Sequence, residues 1–220
     1  MKTFVINLDH ATDRWEHYKD KGCTRWSATN FDEIKVNDPL IPKLISYHNI
    51  SMKEHLCKIG CIKSHMNLWR YIVQTKLDDI LILEDDAHLI DMVPEHDVLP
   101  KDGMTYLGGF TSHPKITKGP LKPEFINGIQ ELDKTKYRMV MMMSYYIPTW
   151  QIAEKMLNHI DSLKRLRALD VMFYDIPIKN YVSYPASFKE RPLQSQIRKD
   201  KKKFSNEFYE LHSNKIKSND

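Results

Sequence analysis

Blocks of apolar and polar residues predict that the chain begins with a strand, a short helix and a second strand. Phe4–Leu8 is an apolar run of strand length. Ala11–Asp13 offers helix-capping side chains, and Gly22 ends the helix that follows. Thr24–Ala28 is the second predicted strand. A strand that feeds a helix in this way is typical of an α/β unit.

A long helix and a fully buried strand follow an irregular stretch at residues 30–50. Ser51 and Glu54 have the spacing of a capping box. Beyond Gly60, apolar residues recur every three or four positions, as they do on one face of a helix. Ile80–Leu83 is apolar without alternation, which is typical of a strand covered on both faces in a largely parallel sheet.

The second half of the chain has shorter patterns. The predicted elements are strands at 104–109 and 139–143, a helix capped by Thr149, a helical stripe of Leu163, Leu166 and Leu169 that ends at Asp170, and a last strand at 181–184. Residues 110–135 are rich in Pro, Gly and Lys and are predicted to form a functional loop. The order of elements predicts one α/β domain over residues 1–198, with a mixed, mostly parallel central sheet flanked by helices.

Composition and charge favour a soluble globular protein. Of the 220 residues, 41% are hydrophobic and 28% are charged, which is ordinary for a chain with one sizeable core. The net charge is +4, and much of the excess lies at Arg198–Lys203, within a basic segment at 199–220. A nucleic-acid-binding protein usually has a broader basic face with interleaved aromatic residues, so no nucleic-acid partner is predicted. We expect the basic segment to be solvated, with weak contact to an anionic membrane surface or to an acidic acceptor as the alternatives.

The cysteines and the absence of long apolar runs predict a cytoplasmic location. Three cysteines cannot form a fully paired disulfide framework, which suits a reducing compartment. No stretch approaches the roughly 20 apolar residues that a membrane-spanning helix needs. Cys57, Cys61 and His65 recur every four residues, but no fourth zinc ligand has a familiar spacing. Buried thiols are therefore the favoured interpretation, and His65 is expected to face a polar surface or cleft.

Glu84, Asp85 and Asp86 are three adjacent carboxylates that directly follow the buried strand. Like charges this close repel one another, and a divalent cation removes the repulsion. Oxygen ligands suit Mg²⁺ or Mn²⁺, and the carboxyl ends of strands are where open α/β sheets bind ligands. The triplet therefore predicts a metal site, although an acidic surface turn, a nuclease or a phosphatase would also fit it.

Four separated segments carry a resemblance to a known family. They are Val5–Leu8 with Asp13–Arg14, Ile59–Trp69, Ile82–Ala87, and Tyr145–Pro148 with Ala153–Leu157 and Leu169–Asp170; a weaker likeness lies at Tyr184–Pro185 with Gln194 and Ser195. In these segments the sequence resembles glycosyltransferase family 25. That family includes lipooligosaccharide β-galactosyltransferases, procollagen galactosyltransferase domains and members from large DNA viruses.

The resemblance implies a GT-A type fold and an enzyme that transfers a sugar from a UDP-sugar to a glycan hydroxyl. It also implies manganese dependence, inversion at the anomeric carbon, and galactose as the first sugar to test. Two segments depart from the family pattern. Cys57–Lys58 stands where the family usually has Gly-Glu, and Asp9–Ala11 lacks a basic residue that the family usually carries. These departures leave the sugar open.

The resemblance also suggests a role for particular residues. Asp86, together with Glu84, is implied to bind the metal, while Glu84 or Asp85 would contact the ribose or a metal-bound water. Inverting transfer needs a base for the acceptor hydroxyl, for which Asp170 is the first candidate and Asp175 the reserve. The remaining implied donor contacts are Asn7, Arg14, Ser64, His65 and Gln194. Two rival functions stay open: a metal-dependent phosphoesterase and a catalytically inactive sugar-binding module.

Overall fold

The structure is a computed structural model that describes residues 1–35, 37–43, 52–112, 127–140 and 143–191. The helices are α1 (Thr12–Trp15), α2 (Met52–Thr75), α3 (Trp150–Ser162) and α4 (Leu169–Asp175). The strands are β1 (Lys2–Asn7), β2 (Thr24–Ser27), β3 (Ile80–Glu84), β4 (Ala87–Leu89), β5 (Gly103–Tyr106), β6 (Phe110–Ser112), β7 (Gly128–Glu131), β8 (Arg138–Val140), β9 (Ser144–Ile147), β10 (Lys179–Tyr184) and β11 (Phe188–Glu190). The predictions made for Ser51, Gln194 and the segment 199–220 lie outside the described residues.

The central sheet has seven strands in the order β2-β1-β3-β9-β5-β10-β7. Strands β9 and β7 run opposite to the other five, so the sheet is mixed and largely parallel. Two small antiparallel pairs, β4 with β11 and β6 with β8, lie outside it. The sheet confirms the predicted α/β class and is compatible with a single-domain GT-A-like fold.

Strand β3 lies inside the sheet and is covered on both faces, as its unbroken apolar run predicts. Ile80 and Ile82 join the apolar cluster that contains Trp69 of α2. Leu81 and Leu83 point the other way, since side chains alternate along a strand, and they pack in a second cluster with Tyr18, Ala87 and Phe188 among its members. One face of the sheet therefore carries α2, α3 and α4, and the other carries the segment after α1 and the β4–β11 pair.

Several predicted elements need correction. The stripe of Leu163, Leu166 and Leu169 is not a helix, because α4 begins only at Leu169 and thus carries Asp170 in its first turn. Thr149 occupies the N-cap position of α3, but its side chain makes no capping hydrogen bond. The predicted loop at 110–135 contains strands β6 and β7 within its described part. The sequence pattern also does not predict β9 or β11, and β11 follows the supposed last strand.

No helix in the described parts of the chain is long and apolar enough to cross a membrane.

Candidate functional site

The acidic triplet lies at the carboxyl end of β3, between β1 and β9 of the sheet. Glu84 ends the strand, and Asp85 and Asp86 form the turn that leads to β4. Alternation along β3 directs Glu84 toward the face covered by α2 and directs Asp85 toward the opposite face. The three carboxylates therefore do not converge on one point, because the side chains of Glu84 and Asp85 point to opposite faces of the sheet.

Asp85 is held in a buried polar network. Its carboxylate accepts hydrogen bonds from Asn7 Nδ2 at 2.8 Å and from Arg14 at 2.6 Å. Asn7 also donates to the carbonyl oxygen of Ala11 at 3.1 Å and accepts from Arg25 Nε at 2.8 Å. Both N–H groups and the oxygen of the Asn7 amide are thus used inside the protein. The network joins β1, α1 and β2 to the end of β3.

These contacts give Asn7, Arg14 and Asp85 an internal role. Asp85 is 8% exposed, Asn7 is 1% exposed, and the Arg14–Asp85 ion pair has side chains that are 11% and 12% exposed. Repulsion within the triplet is weaker than the sequence suggests, since Arg14 neutralises the middle carboxylate. Contacts of these three residues with a sugar donor stay predictions. Their observed contacts hold the acidic turn on the sheet.

Glu84 faces His65, which lies in the fourth turn of α2. The His65 Nε2 atom lies 3.6 Å from Glu84 Oε1, and His65 Nδ1 lies 2.7 Å from the Tyr145 hydroxyl of β9. His65 is 1% exposed, so the expectation that it faces a polar surface or cleft is wrong. The reason is that His65 lies on the side of α2 that packs against the sheet, where Tyr145 and Glu84 are its polar neighbours.

Ser64 fixes α2 to the loop after β2. Its hydroxyl donates to the Gly60 carbonyl oxygen at 2.7 Å and accepts from the Thr29 N–H at 2.8 Å. A Cβ atom on Gly60 would lie 2.7 Å from the Thr29 carbonyl oxygen, so the helix approaches this loop more closely than any other residue type would allow. Ser64 is 2% exposed. Its predicted donor contact is not tested, and its observed contacts are structural.

Next to Asp86 lies a group of basic side chains that the sequence does not reveal. We call it the cationic group, and its members are His17, Lys21, His88, Lys189 and Arg191. The His17 and His88 rings are 5.6 Å apart, and Lys21 Nζ lies 3.0 Å from His17 Nε2. Lys189 is paired with His88 across the β4–β11 ladder. Only the fold could assemble this group, because its members come from three separate segments.

Arg191 joins the cationic group to the acidic turn. Its backbone N–H donates to the Asp86 carbonyl oxygen at 2.7 Å, and its guanidinium donates to the Asp85 carbonyl oxygen and lies over the Tyr18 ring. Among the described residues, Arg191 Nε and His88 Nδ1 are buried and have no hydrogen-bond partner. Buried polar groups are usually satisfied, so these two enclosed atoms are exceptions, and the attraction of the group for an anion comes from its positive charges.

The two histidines of the cationic group are tuned toward their neutral form. Burial, followed by the charges of Lys21, Arg191 and His88, lowers the pKa of His17. Burial, followed by Lys189, Arg191 and Lys21, lowers the pKa of His88. Every charged neighbour named here is a base and lowers the histidine pKa. An anion bound among them would raise it. The electrostatics of the group therefore favour a phosphate-like ligand.

Asp170 lies on the same face of the sheet as Glu84. It lies in the first turn of α4, its Oδ1 accepts from the Val171 N–H at 2.8 Å, and it is close enough to contribute to the raised pKa of Tyr106, whose main cause is burial. Tyr106 is paired with Tyr145 across β5 and β9. Asp175, the reserve base, forms an ion pair with Arg167. The fold thus links Asp170, but not Asp175, to the residues around Glu84.

A cavity of about 770 Å³ lies elsewhere, along the edge of the sheet where β5 and β10 begin. Its charged groups are largely paired with one another, since Lys179 contacts Asp102 at 3.0 Å and Glu131 at 3.6 Å. Lys134 donates to the carbonyl oxygens of Ile176 and Ile178. We place the candidate site at the acidic turn because the charges of this cavity are largely paired with one another, whereas the acidic turn lies at the carboxyl ends of the parallel strands, where open α/β sheets bind their ligands.

Comparison with known families bears on this end of the sheet. Residues 1–97 match the family model described as glycosyltransferase family 25 (LPS biosynthesis protein). The match includes Asn7, Arg14, Ser64, His65 and the acidic triplet, and it ends before Asp170. No curated protein is similar enough to be compared with the chain. The match supports the family indicated by the sequence motifs, and it indicates a glycosyltransferase with a sugar donor and a glycan acceptor.

Proposed function

We propose, from the match of residues 1–97 to glycosyltransferase family 25, that this chain transfers a sugar from a UDP-sugar to a hydroxyl group of a glycan, with inversion and with a divalent cation. Galactose is the first sugar to test. The observation that carries the proposal is the juxtaposition of Asp86 with the cationic group at the carboxyl end of β3, where an open α/β sheet binds its ligands.

A single carboxylate such as Asp86 can be enough to hold Mn²⁺ or Mg²⁺. These ions are often held by only one or two protein carboxylates, with waters and substrate phosphates completing the coordination. Glu84 faces His65, so we assign the main ligand role to Asp86 and leave the remaining positions to the diphosphate and water. A bound divalent ion supplies a Lewis acid that stabilises the negative charge of a leaving diphosphate.

Arg191 and its neighbours complement that ion. The Arg191 guanidinium is anchored on the Asp85 carbonyl oxygen and on the Tyr18 ring, which fixes its position beside Asp86. Lys21 and Lys189 add positive charge on the same side. Because these groups attract phosphate oxygens, they orient a nucleotide diphosphate toward Asp86 and stabilise the charge that grows on it.

Asp170 is the proposed base for the acceptor hydroxyl. It sits in the first turn of α4, on the face of the sheet that carries Tyr106 and Tyr145. A carboxylate in this place can accept the proton of a hydroxyl that attacks from the α4 side, provided that the hydroxyl comes within hydrogen-bond reach. Asp175 is the weaker candidate because Arg167 already neutralises it.

One assay separates the proposal from its rivals. The protein is incubated with Mn²⁺ and a panel of UDP-sugars, with water, galactose, glucose or N-acetylglucosamine as acceptor, and UDP release is measured with and without EDTA. We expect UDP to be released from at least one UDP-sugar. The release should be faster with a sugar acceptor than with water, and EDTA should abolish it. Hydrolysis of a simple phosphate ester without any sugar would favour a phosphoesterase. Absence of turnover together with absence of thermal stabilisation by every nucleotide would favour a binding module.

Asp170→Asn should lower kcat at least about 100-fold, since a general base contributes roughly 100- to 10,000-fold. Asparagine keeps an oxygen that can accept from the Val171 N–H, so we expect an unchanged melting temperature and UDP affinity. Asp175→Asn is the matched control on the same helix and should keep kcat within about threefold of the parent. A large loss in Asp175→Asn with a small loss in Asp170→Asn would move the base to Asp175.

A further inference from the structure

Cys61, His65 and Glu84 bring three different ligand types together on the α2 face of the sheet. One ligand atom from each residue, the Cys61 sulfur, a ring nitrogen of His65 and a carboxylate oxygen of Glu84, lies within 4.8 Å of the other two. The sequence shows only the first two, four residues apart on α2. The third comes from β3, and only the packing of α2 on the sheet brings it close.

The distances suit a tetrahedral ion. With metal–ligand bonds of about 2.0 to 2.3 Å, neighbouring ligand atoms of such a site lie about 3.3 to 3.7 Å apart. His65 Nε2 and Glu84 Oε1 are 3.6 Å apart, within that interval and too far for a direct hydrogen bond. The Cys61 sulfur lies within 4.8 Å of the His65 and Glu84 ligand atoms, so a small rotation of its side chain brings it to ligand distance.

The surroundings orient His65 for ligation through Nε2. Its Nδ1 contacts the Tyr145 hydroxyl at 2.7 Å, and Trp69 Nε1 donates to the same hydroxyl at 3.0 Å. A polar partner on the second ring nitrogen is the usual support of a metal-binding histidine. The Glu84 side chain is 34% exposed, which gives an ion a path from solvent.

We propose that Cys61, His65 and Glu84 form a site for a zinc-class divalent ion, distinct from the Mn²⁺ or Mg²⁺ proposed at Asp86. A thiolate and an imidazole select zinc and cobalt over magnesium and manganese. Three protein ligands leave a fourth position for water or a ligand atom. Binding converts the Cys61 thiol to a thiolate and releases its proton to solvent. The inference does not depend on the proposed transfer reaction, because it concerns only ion binding.

Titration of the metal-free protein with Co²⁺ tests the site directly. We expect the visible absorption of a tetrahedral Co²⁺ complex, together with a thiolate-to-cobalt charge-transfer band, and displacement of both by Zn²⁺. Cys61→Ser should remove the charge-transfer band and lower Zn²⁺ affinity at least about 100-fold, because loss of a direct ligand exceeds the 10- to 100-fold cost of losing a supporting contact. Glu84→Gln should lower Zn²⁺ affinity by a similar factor.

Cys57→Ser is the matched control. Cys57 lies one turn earlier on α2 and is half-buried like Cys61, but it is not part of the three-residue group. Its serine variant should keep the cobalt spectrum and the Zn²⁺ affinity of the parent. Asp86→Ala should keep both as well, which separates this site from the one proposed at the acidic turn. A cobalt spectrum without a thiolate band, or equal Zn²⁺ affinity in the parent and Cys61→Ser, would overturn the proposal.

Discussion

Arg14→Met should lower the free energy of unfolding by about 3 kcal/mol, because it leaves the Asp85 carboxylate buried without its cation. Removing one partner of a buried ion pair costs about 3 to 5 kcal/mol. We expect the lower end, since Asn7 still donates to Asp85 at 2.8 Å. For a chain of this size that loss is a fall of roughly 6 to 12 °C in melting temperature. Chemical denaturation followed by circular dichroism measures it.

Arg70→Met is the matched control for this variant. The Arg70 guanidinium lies 3.8 Å from Asp161 on the surface, with side chains 45% and 57% exposed, so its loss should cost less than about 1 kcal/mol. The double variant Arg14→Met/Asp85→Asn should recover part of the stability, because the amide removes the buried charge and can still accept from Asn7. Equal destabilisation by Arg14→Met and Arg70→Met would contradict the internal role of the pair.

Asp86→Ala should lower the rate of Mn²⁺-dependent sugar transfer at least about 100-fold, equivalent to about 2.7 kcal/mol. A bound metal stabilises the leaving diphosphate by several kcal/mol, and this variant removes its proposed protein ligand. The steady-state rate of UDP release, measured with the sugar donor that the parent accepts, gives the effect. Circular dichroism checks that the variant is folded.

Asp91→Ala is the control for the loss of an aspartate near the turn. Asp91 is exposed just beyond β4, and its carboxylate accepts from the Met92 N–H. Its alanine variant should transfer sugar within about twofold of the parent rate. An Asp86→Ala protein as active as Asp91→Ala would remove the acidic turn from the reaction.

The sequence predicted the parts of the fold that local patterns encode. The unbroken apolar run of β3 implied burial on both faces, and the structure has it. The period of α3 implied one buried stripe, and Ile152, Met156 and Ile160 form it. By contrast, β9 is only four residues long, begins with a polar serine and ends before Pro148, so neither length nor alternation identifies it. Its partners β3 and β5 are distant in sequence, which local reasoning does not see.

The sequence predicts where on the sheet the candidate site lies, but not which contacts its residues make. The triplet after a buried strand indicates the carboxyl end of the sheet as the site, and its division between two faces depends on where β3 stops. The buried roles of Asn7 and His65 come from partners 78 and 80 residues away, Asp85 and Tyr145. The cationic group is assembled by the β4–β11 pairing, and β11 itself is too short to be recognised. Long-range packing, and not local propensity, decides each of these features.

The dependence of UDP affinity on Mn²⁺ in Asp86→Ala and in the parent, measured by isothermal titration calorimetry, tests the central claim most directly. We predict that Mn²⁺ raises the UDP affinity of the parent at least about tenfold, equivalent to about 1.4 kcal/mol, and that it leaves the affinity of Asp86→Ala unchanged. An equal Mn²⁺ enhancement in both proteins would contradict the placement of the ion at the acidic turn.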